Sequence, residues 1–180
     1  ESTRPGHKTI SIQQEIDRLM PVLELISKSN CVISIDTRKP EVMKEALKYP
    51  VGLINDVSAL ESLEAKEIIK DANIPVCVMH NRRVKSISIE ADIKKFFKDK
   101  VQELTSFWLS NENIILDPGF GYDKSLEDNK KNTLTNNATN QNMSMMLTMN
   151  ALFQSISNVV TGTNLSICLL YTSDAADESL

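Results

Sequence analysis

Four short apolar runs, each closing on polar side chains and separated from the next by a helix-forming segment, restrict this chain more than any other feature. They are Cys31-Val-Ile-Ser-Ile-Asp36, Val51-Gly-Leu-Ile-Asn-Asp-Val57, Pro75-Val-Cys-Val-Met-His80 and Asn113-Ile-Ile-Leu-Asp117. Runs of this length, rich in β-branched residues and without polar alternation, read as strands buried on both faces. Strands joined through single helices must run parallel, so the fold class is α/β: a doubly wound sheet or part of a barrel.

The intervening segments carry helix signals. Ser11 with Gln14 three residues on forms a capping box. Ile12, Ile16, Leu19, Leu23 and Ile26 then recur at helical spacing to about Ser27, with Pro21 inside expected to kink the helix. Pro40 opens a second helix running to about Lys48. A third is predicted over 61–72, burying Leu63, Ile68 and Ile69. A fourth, over 89–109, carries Ile89, Ile93, Phe96, Val101, Leu104 and Trp108 on its apolar stripe, while Lys94, Lys95, Lys98 and Asp99 read as its solvated face.

The region after Lys131 differs in kind. From Asn132 to Ser173 there is no Asp, Glu, Lys, Arg or His, whereas elsewhere about one residue in three belongs to those types. The run shows no helical or strand periodicity, and a disordered polar tract would hold less Met, Leu, Ile and Val. A shift of reading frame near Lys131 accounts for the break, and Leu170-Tyr-Thr-Ser-Asp-Ala-Ala-Asp-Glu178 resembles translated sequencing-adapter DNA. The expected organisation is therefore a folded portion over 1–131 and a non-native tail over 132–180, excluded from fold reasoning. A start at Glu1 rather than Met is read as a fragment.

Composition narrows the function classes. The net charge is −4 and the isoelectric point about 5.3, so no basic field favours nucleic acid or an anionic membrane. No apolar run reaches spanning length and no signal peptide opens the chain. Of three cysteines, Cys31 and Cys77 fall in predicted strands, as reduced thiols do in a cytoplasmic protein. No His, Cys and carboxylate spacing matches a protein-only metal site, and Asp117-Pro-Gly-Phe-Gly121 lacks the lysine spacing of a phosphate loop.

The carboxyl ends of parallel strands form the ligand rim of α/β folds, which brings Asp36, Asn55-Asp56, Met79-His80 and Asp117 together. Two carboxylates and an amide suit a ligand edge rich in N–H donors, such as a 2-amino-pyrimidinone, because an ionised carboxylate accepts two parallel bonds from it. A carboxylate near a carbon developing positive charge would also stabilise a carbocation-like transition state. Plainer readings stand beside these: a strand-end Asp can cap the next helix, Asn55-Asp56 can be an Asx turn, and His80 reads as a hydrogen-bonded rim residue.

Five motifs, in order and spacing, resemble dihydropteroate synthase: Glu1-Ser-Thr-Arg-Pro-Gly6, Ile33-Ser-Ile-Asp-Thr37, Ile54-Asn-Asp-Val57, Val78-Met-His80 and Leu116-Asp-Pro-Gly-Phe-Gly121. The resemblance extends to Lys124-Ser-Leu-Glu-Asp-Asn129. It implies a partial TIM (β/α)8 barrel from a transferase of folate synthesis, the sulfonamide target. That enzyme condenses 6-hydroxymethyl-7,8-dihydropterin pyrophosphate with p-aminobenzoate and releases pyrophosphate. By position Asp36, Asn55, Met79 and Asp117 match the pterin contacts, with Asp36 also at the reacting centre. Ser2, Thr3, Arg4 and Pro5 match the p-aminobenzoate loop, Thr3 and Arg4 having catalytic roles. Lys124 matches a family lysine, with no role assigned.

Tyr122-Asp123 replaces a common Phe-Gly, His80-Asn-Arg-Arg83 replaces His-Met-x-Gly, and Ala59 stands where Gly is frequent. The resemblance also implies Mg²⁺, held with pyrophosphate by an Asn on a strand that would precede Glu1, and a homodimer for the full-length protein. The family's Ser-Arg-Lys and Arg-x-His segments are not found after Lys131, so this polypeptide is expected to be inactive alone. The alternatives are a pterin-binding methyltransferase domain, against which the Ser-Thr-Arg-Pro-Gly loop argues, and an inactive pterin-binding fragment.

Overall fold

The computed structural model describes residues 8–83, 88–119, 122 and 124, together with the backbone of 167–171. The elements run α1 (Ile12–Ile26), β1 (Val32–Asp36), α2 (Pro40–Ala46), β2 (Val51–Asp56), α3 (Leu63–Ala72), β3 (Val76–Met79), α4 (Ile89–Ser106), β4 (Ile114–Asp117) and β5 (Ile167–Tyr171). All pairings are parallel, and the sheet order is β4-β3-β2-β1-β5. The four predicted strands and four predicted helices are all present.

The helix starts follow their caps. Ser11 accepts from Gln14 N–H at 3.2 Å while the Gln14 side chain accepts from Ser11 N–H at 3.0 Å, the capping box expected. Ser62 and Ser88 cap α3 and α4 by accepting from Ala65 and Ala91 at 3.0 and 3.2 Å. Each such cap contributes about 1 kcal/mol. The helix α1 continues through Pro21 as one element. Asn73, in the left-handed conformation at φ 51°, ends α3.

Strand parity divides the sheet into two faces. Ser34 pairs with Leu53, Asp36 with Asn55, Asn55 with Cys77, Cys77 with Ile115 and Met79 with Asp117, so all of these lie on one face. The opposite face carries Ile35, Ile54, Val76, Val78, Ile114 and Leu116, which share one buried cluster with Leu23, Met43, Ile69, Ile93 and Phe97 from the helices. Full burial of each such Leu, Ile or Phe contributes about 1.5–3 kcal/mol. Leu53, Cys77, Met79 and Ile115 are buried outside that cluster. The helix side is thus the hydrophobic core, and the other side holds the polar strand ends.

Two expectations are corrected. Leu63 is 59% exposed and Trp108 78% exposed, so neither belongs to the core. Leu63 is the first residue of α3, before the stripe turns inward. Trp108 lies past the end of α4 with φ at 67°, which takes its side chain off the helical face. In the tail, Ile167–Tyr171 forms a strand paired with β1 in register from Val32 to Asp36. Lack of periodicity over a long region did not preclude one five-residue apolar run from pairing.

Candidate functional site

Asp36 ends β1 at a buried position, and one of its oxygens, Oδ1, has no hydrogen-bond partner among the described residues. Burial raises its pKa to about 6, against which the hydrogen bond from the Asn55 side chain acts. Asn55 stands beside it on β2. Next to Asn55 on β3 lies Cys77, whose thiol is pushed far up by burial and by the carboxylates of Asp117, Asp36 and Asp56, so it behaves as an inert buried group. Met79 and Asp117 sit one pleat further toward the rim.

Asp117 is also shifted up by burial, with the Gly119 N–H and the Lys124 ammonium working the other way. Its carboxylate Oδ1 accepts from Gly119 N–H at 2.8 Å. Gly119 has φ 65°, and a Cβ there would stand 2.5 Å from the His80 carbonyl oxygen, so this turn requires glycine.

The structure therefore brings Asp36, Asn55, Met79 and Asp117 onto one face at one end of the sheet, as the sequence predicts. Adjacent strands lie about 4.8 Å apart, so the row from β1 to β4 spans roughly 14 Å of backbone. Two carboxylates and an amide, over an apolar floor of Met79 and Cys77, can read the polar edge of a flat heterocycle while its faces meet hydrocarbon and sulfur.

Asp56 does not join them. It lies on the opposite face, fully buried, and accepts from Ser58 N–H at 2.7 Å, Ser58 Oγ at 2.6 Å and Leu60 N–H at 2.9 Å. It is the Asx turn of the plainer reading.

His80 is not a rim residue but a fully buried one. Its Nε2 pairs with Asp92 Oδ2 at 2.7 Å, and its ring meets Phe96 edge-on at 5.0 Å. Arg82 closes on the same carboxylate through Nε at 2.9 Å and Nη2 at 2.6 Å. Burial lowers the His80 pKa, outweighing the Asp92 hydrogen bond that favours its cation. The cluster ties the loop after β3 to α4.

Two polar centres had no local sequence signal. Glu15 in α1 accepts from Thr37 Oγ1 at 2.7 Å and pairs with Lys39 Nζ at 2.9 Å, while Lys39 also donates to the Ile10 carbonyl at 2.7 Å. This knot fixes the residue after Asp36 to the start of α1. Lys124 Nζ donates to the carbonyls of His80, Gly119 and Tyr122 at 2.8, 2.9 and 3.1 Å. Ser2, Thr3, Arg4 and Pro5 lie outside the described residues.

Known proteins resemble this chain in sequence and in fold. The family described as "Pterin binding enzyme" matches residues 1–172. The dihydropteroate synthase of Escherichia coli K12 is 35% identical over 138 residues, covering 72% of this chain and 49% of that protein. The Bacillus subtilis 168 dihydropteroate synthase is 36% identical over 132 residues, covering 72% of this chain and 46% of its own length. Thus the chain spans about half the length of the curated relatives it matches.

Among solved structures, Xanthomonas albilineans dihydropteroate synthase with 4-aminobenzoic acid superposes with a TM-score of 0.69 at 33% identity, covering 73% of this chain and 49% of that one. Burkholderia cenocepacia dihydropteroate synthase complexed with 7,8-dihydropteroate superposes with a TM-score of 0.68 at 32% identity, covering 72% and 50%. The shared architecture is part of a TIM (β/α)8 barrel, whose inner face is the one bearing Asp36, Asn55, Met79 and Asp117. On fold, motif order and family match together, this chain belongs to the pterin binding enzyme family.

Proposed function

We propose that residues 1–131 form the pterin-binding part of a dihydropteroate synthase, a transferase joining 6-hydroxymethyl-7,8-dihydropterin pyrophosphate to p-aminobenzoate. The observation that carries this reading is the row of Asp36, Asn55 and Asp117 over Met79 on one face of the sheet. Asp36 Oδ1, buried and without a partner among the described residues, is an acceptor suited to the N–H donors of a pterin edge.

In this reading Asp36, Asn55 and Asp117 orient the ring, and Met79 covers it. As the pyrophosphate leaves, the pterin methylene carbon becomes cationic, and the Asp36 carboxylate stabilises it electrostatically. The arylamine nitrogen then attacks that carbon and loses a proton. The loop bearing Ser2, Thr3, Arg4 and Pro5 would hold the aminobenzoate and exclude the water that otherwise captures the cation.

For Mg²⁺, no group of three His, Cys, Asp or Glu side chains converges among the described residues, so none of these steps is routed through a metal here. Among the described residues no helix is long and apolar enough to cross a membrane. The reading takes two small molecules as partners, with dimerisation left to the full-length protein.

Calorimetric titration of 6-hydroxymethylpterin into the chain tests the pocket. Dihydropteroate formation by the full-length gene product, inhibited by a sulfonamide, tests the reaction. Methyl transfer from a methylfolate in its place would overturn the assignment.

A further inference from the structure

We propose that Lys124 is a positioning residue for the pterin carboxylate Asp117, its ammonium locking the turn after β4 onto the end of β3. The inference rests on the pterin-site reading of Asp117 only for its consequence in binding. The clamp itself is geometric.

Three backbone carbonyls, from His80, Gly119 and Tyr122, face Lys124 Nζ within 3.1 Å. Carbonyl dipoles aimed at one point repel each other unless a cation sits among them, and an ammonium carries three donors in a tripod that matches them. His80 belongs to the end of β3, whereas Gly119 and Tyr122 belong to the turn after β4. The ammonium therefore joins two loops that share no other side-chain tie among those described.

Asp117 lies between the two ends of that tie. Its carbonyl accepts from His80 N–H at 2.8 Å, and its carboxylate accepts from Gly119 N–H at 2.8 Å. Both partners are residues whose carbonyls Lys124 holds. The Gly119 turn is pressed so closely on His80 that no Cβ fits, so movement of either loop moves the carboxylate. The positive charge also opposes the burial that disfavours ionised Asp117. A direct grip on the departing pyrophosphate is the competing role for a lysine here, but the ammonium is directed at protein carbonyls.

The test uses Lys124→Ala in the full chain, with the Asp117 carboxyl carbon followed by NMR across pH and two probes titrated: 6-hydroxymethylpterin and its pyrophosphate ester. The Asp117 midpoint is expected to move up, and both probes to weaken by a similar factor of about ten, partly restored by added methylammonium. An unmoved midpoint, or a loss confined to the pyrophosphate ester, overturns the proposal. If the alanine variant does not fold, Lys124→Arg decides. It keeps the charge but not the tripod, so both probes should still weaken, and wild-type affinity would overturn the clamp. Failure of the unmodified chain to bind either probe would count against the pterin site alone, because the Asp117 titration reads the clamp without ligand.

Discussion

Asp36 and Asn55 stand directly opposite one another across β1 and β2, and the Asp36 carboxyl carries an oxygen, Oδ1, that is buried and unpartnered among the described residues. The amide stands beside the acid without satisfying that oxygen. Such a carboxylate is costly to keep charged in the empty protein and repays the cost only when a donor edge arrives.

Asp36→Asn should therefore stabilise the empty protein while damaging its binding. The folded-state pKa of about 6 lies above the ordinary 3.8, so the native state binds the proton more tightly and ionisation weakens folding as pH rises between those values. At pH 7 the substitution should add about 1–3 kcal/mol, vanishing below about pH 4, and weaken pterin binding at least about tenfold. Urea unfolding at the two pH values, beside calorimetry, checks both arms. A destabilised variant at pH 7 would show that Oδ1 has a partner in the empty site.

Pterin affinity should depend on the same proton. Below a pH of about 6, Asp36 becomes protonated and loses an acceptor, so affinity should fall as pH decreases and level off above about 7. Asp36→Asn should remove most of this dependence. A pH-independent wild-type affinity between 5 and 7 would place the carboxylate away from the ligand.

Gly119→Ala should be among the most damaging single methyl additions. The residue holds φ at 65°, and the new Cβ would meet the His80 carbonyl at 2.5 Å. A loss of about 2–4 kcal/mol in urea unfolding is expected, from left-handed strain together with displacement of the turn. A loss under about 1 kcal/mol would mean that the turn can move off β3 freely.

Glu15→Gln should loosen the tie between α1 and the residue following Asp36. The buried carboxylate holds Thr37 Oγ1 at 2.7 Å and Lys39 Nζ at 2.9 Å. Neutralising one member of a buried ion pair is costly, so about 2–4 kcal/mol is expected. In a double-mutant cycle with Lys39→Met the two losses should be strongly non-additive, and simple additivity would refute the coupling.

What was legible in the chain follows the period of its side chains. The polar residue closing each run was enough to place Asp36, Asn55 and Asp117 at one end of the sheet, though it placed Asp56 there too, and Ser11 with Gln14 announced the start of α1. Periodicity failed where an element ends: Leu63 and Trp108 fit a helical stripe by spacing, yet lie at the first turn of α3 and beyond the last turn of α4. It also could not reach contacts closed by the fold. Glu15 reads as an ordinary first-turn acid until Thr37 and Lys39 arrive from another element. His80 and Asp92 meet across a loop, and Lys124 is 44 residues from the His80 carbonyl it holds.

Asn55 and Asp56 are neighbours in sequence that serve opposite sides of the sheet, one in the row with Asp36 and Asp117 and the other bound into its own turn. A deletion of a single residue upstream in β2 would exchange their sides. The inner face would then present a third acid where an amide had been, and three like charges would crowd one cavity. The Ser58–Leu60 turn would meanwhile lose its anchor to an amide with only one acceptor oxygen. Frame-preserving length changes in this family are therefore expected to avoid β2 and fall in the loops at the far end of the sheet. Its two consecutive polar letters encode recognition and architecture at once, and a change of phase would forfeit both.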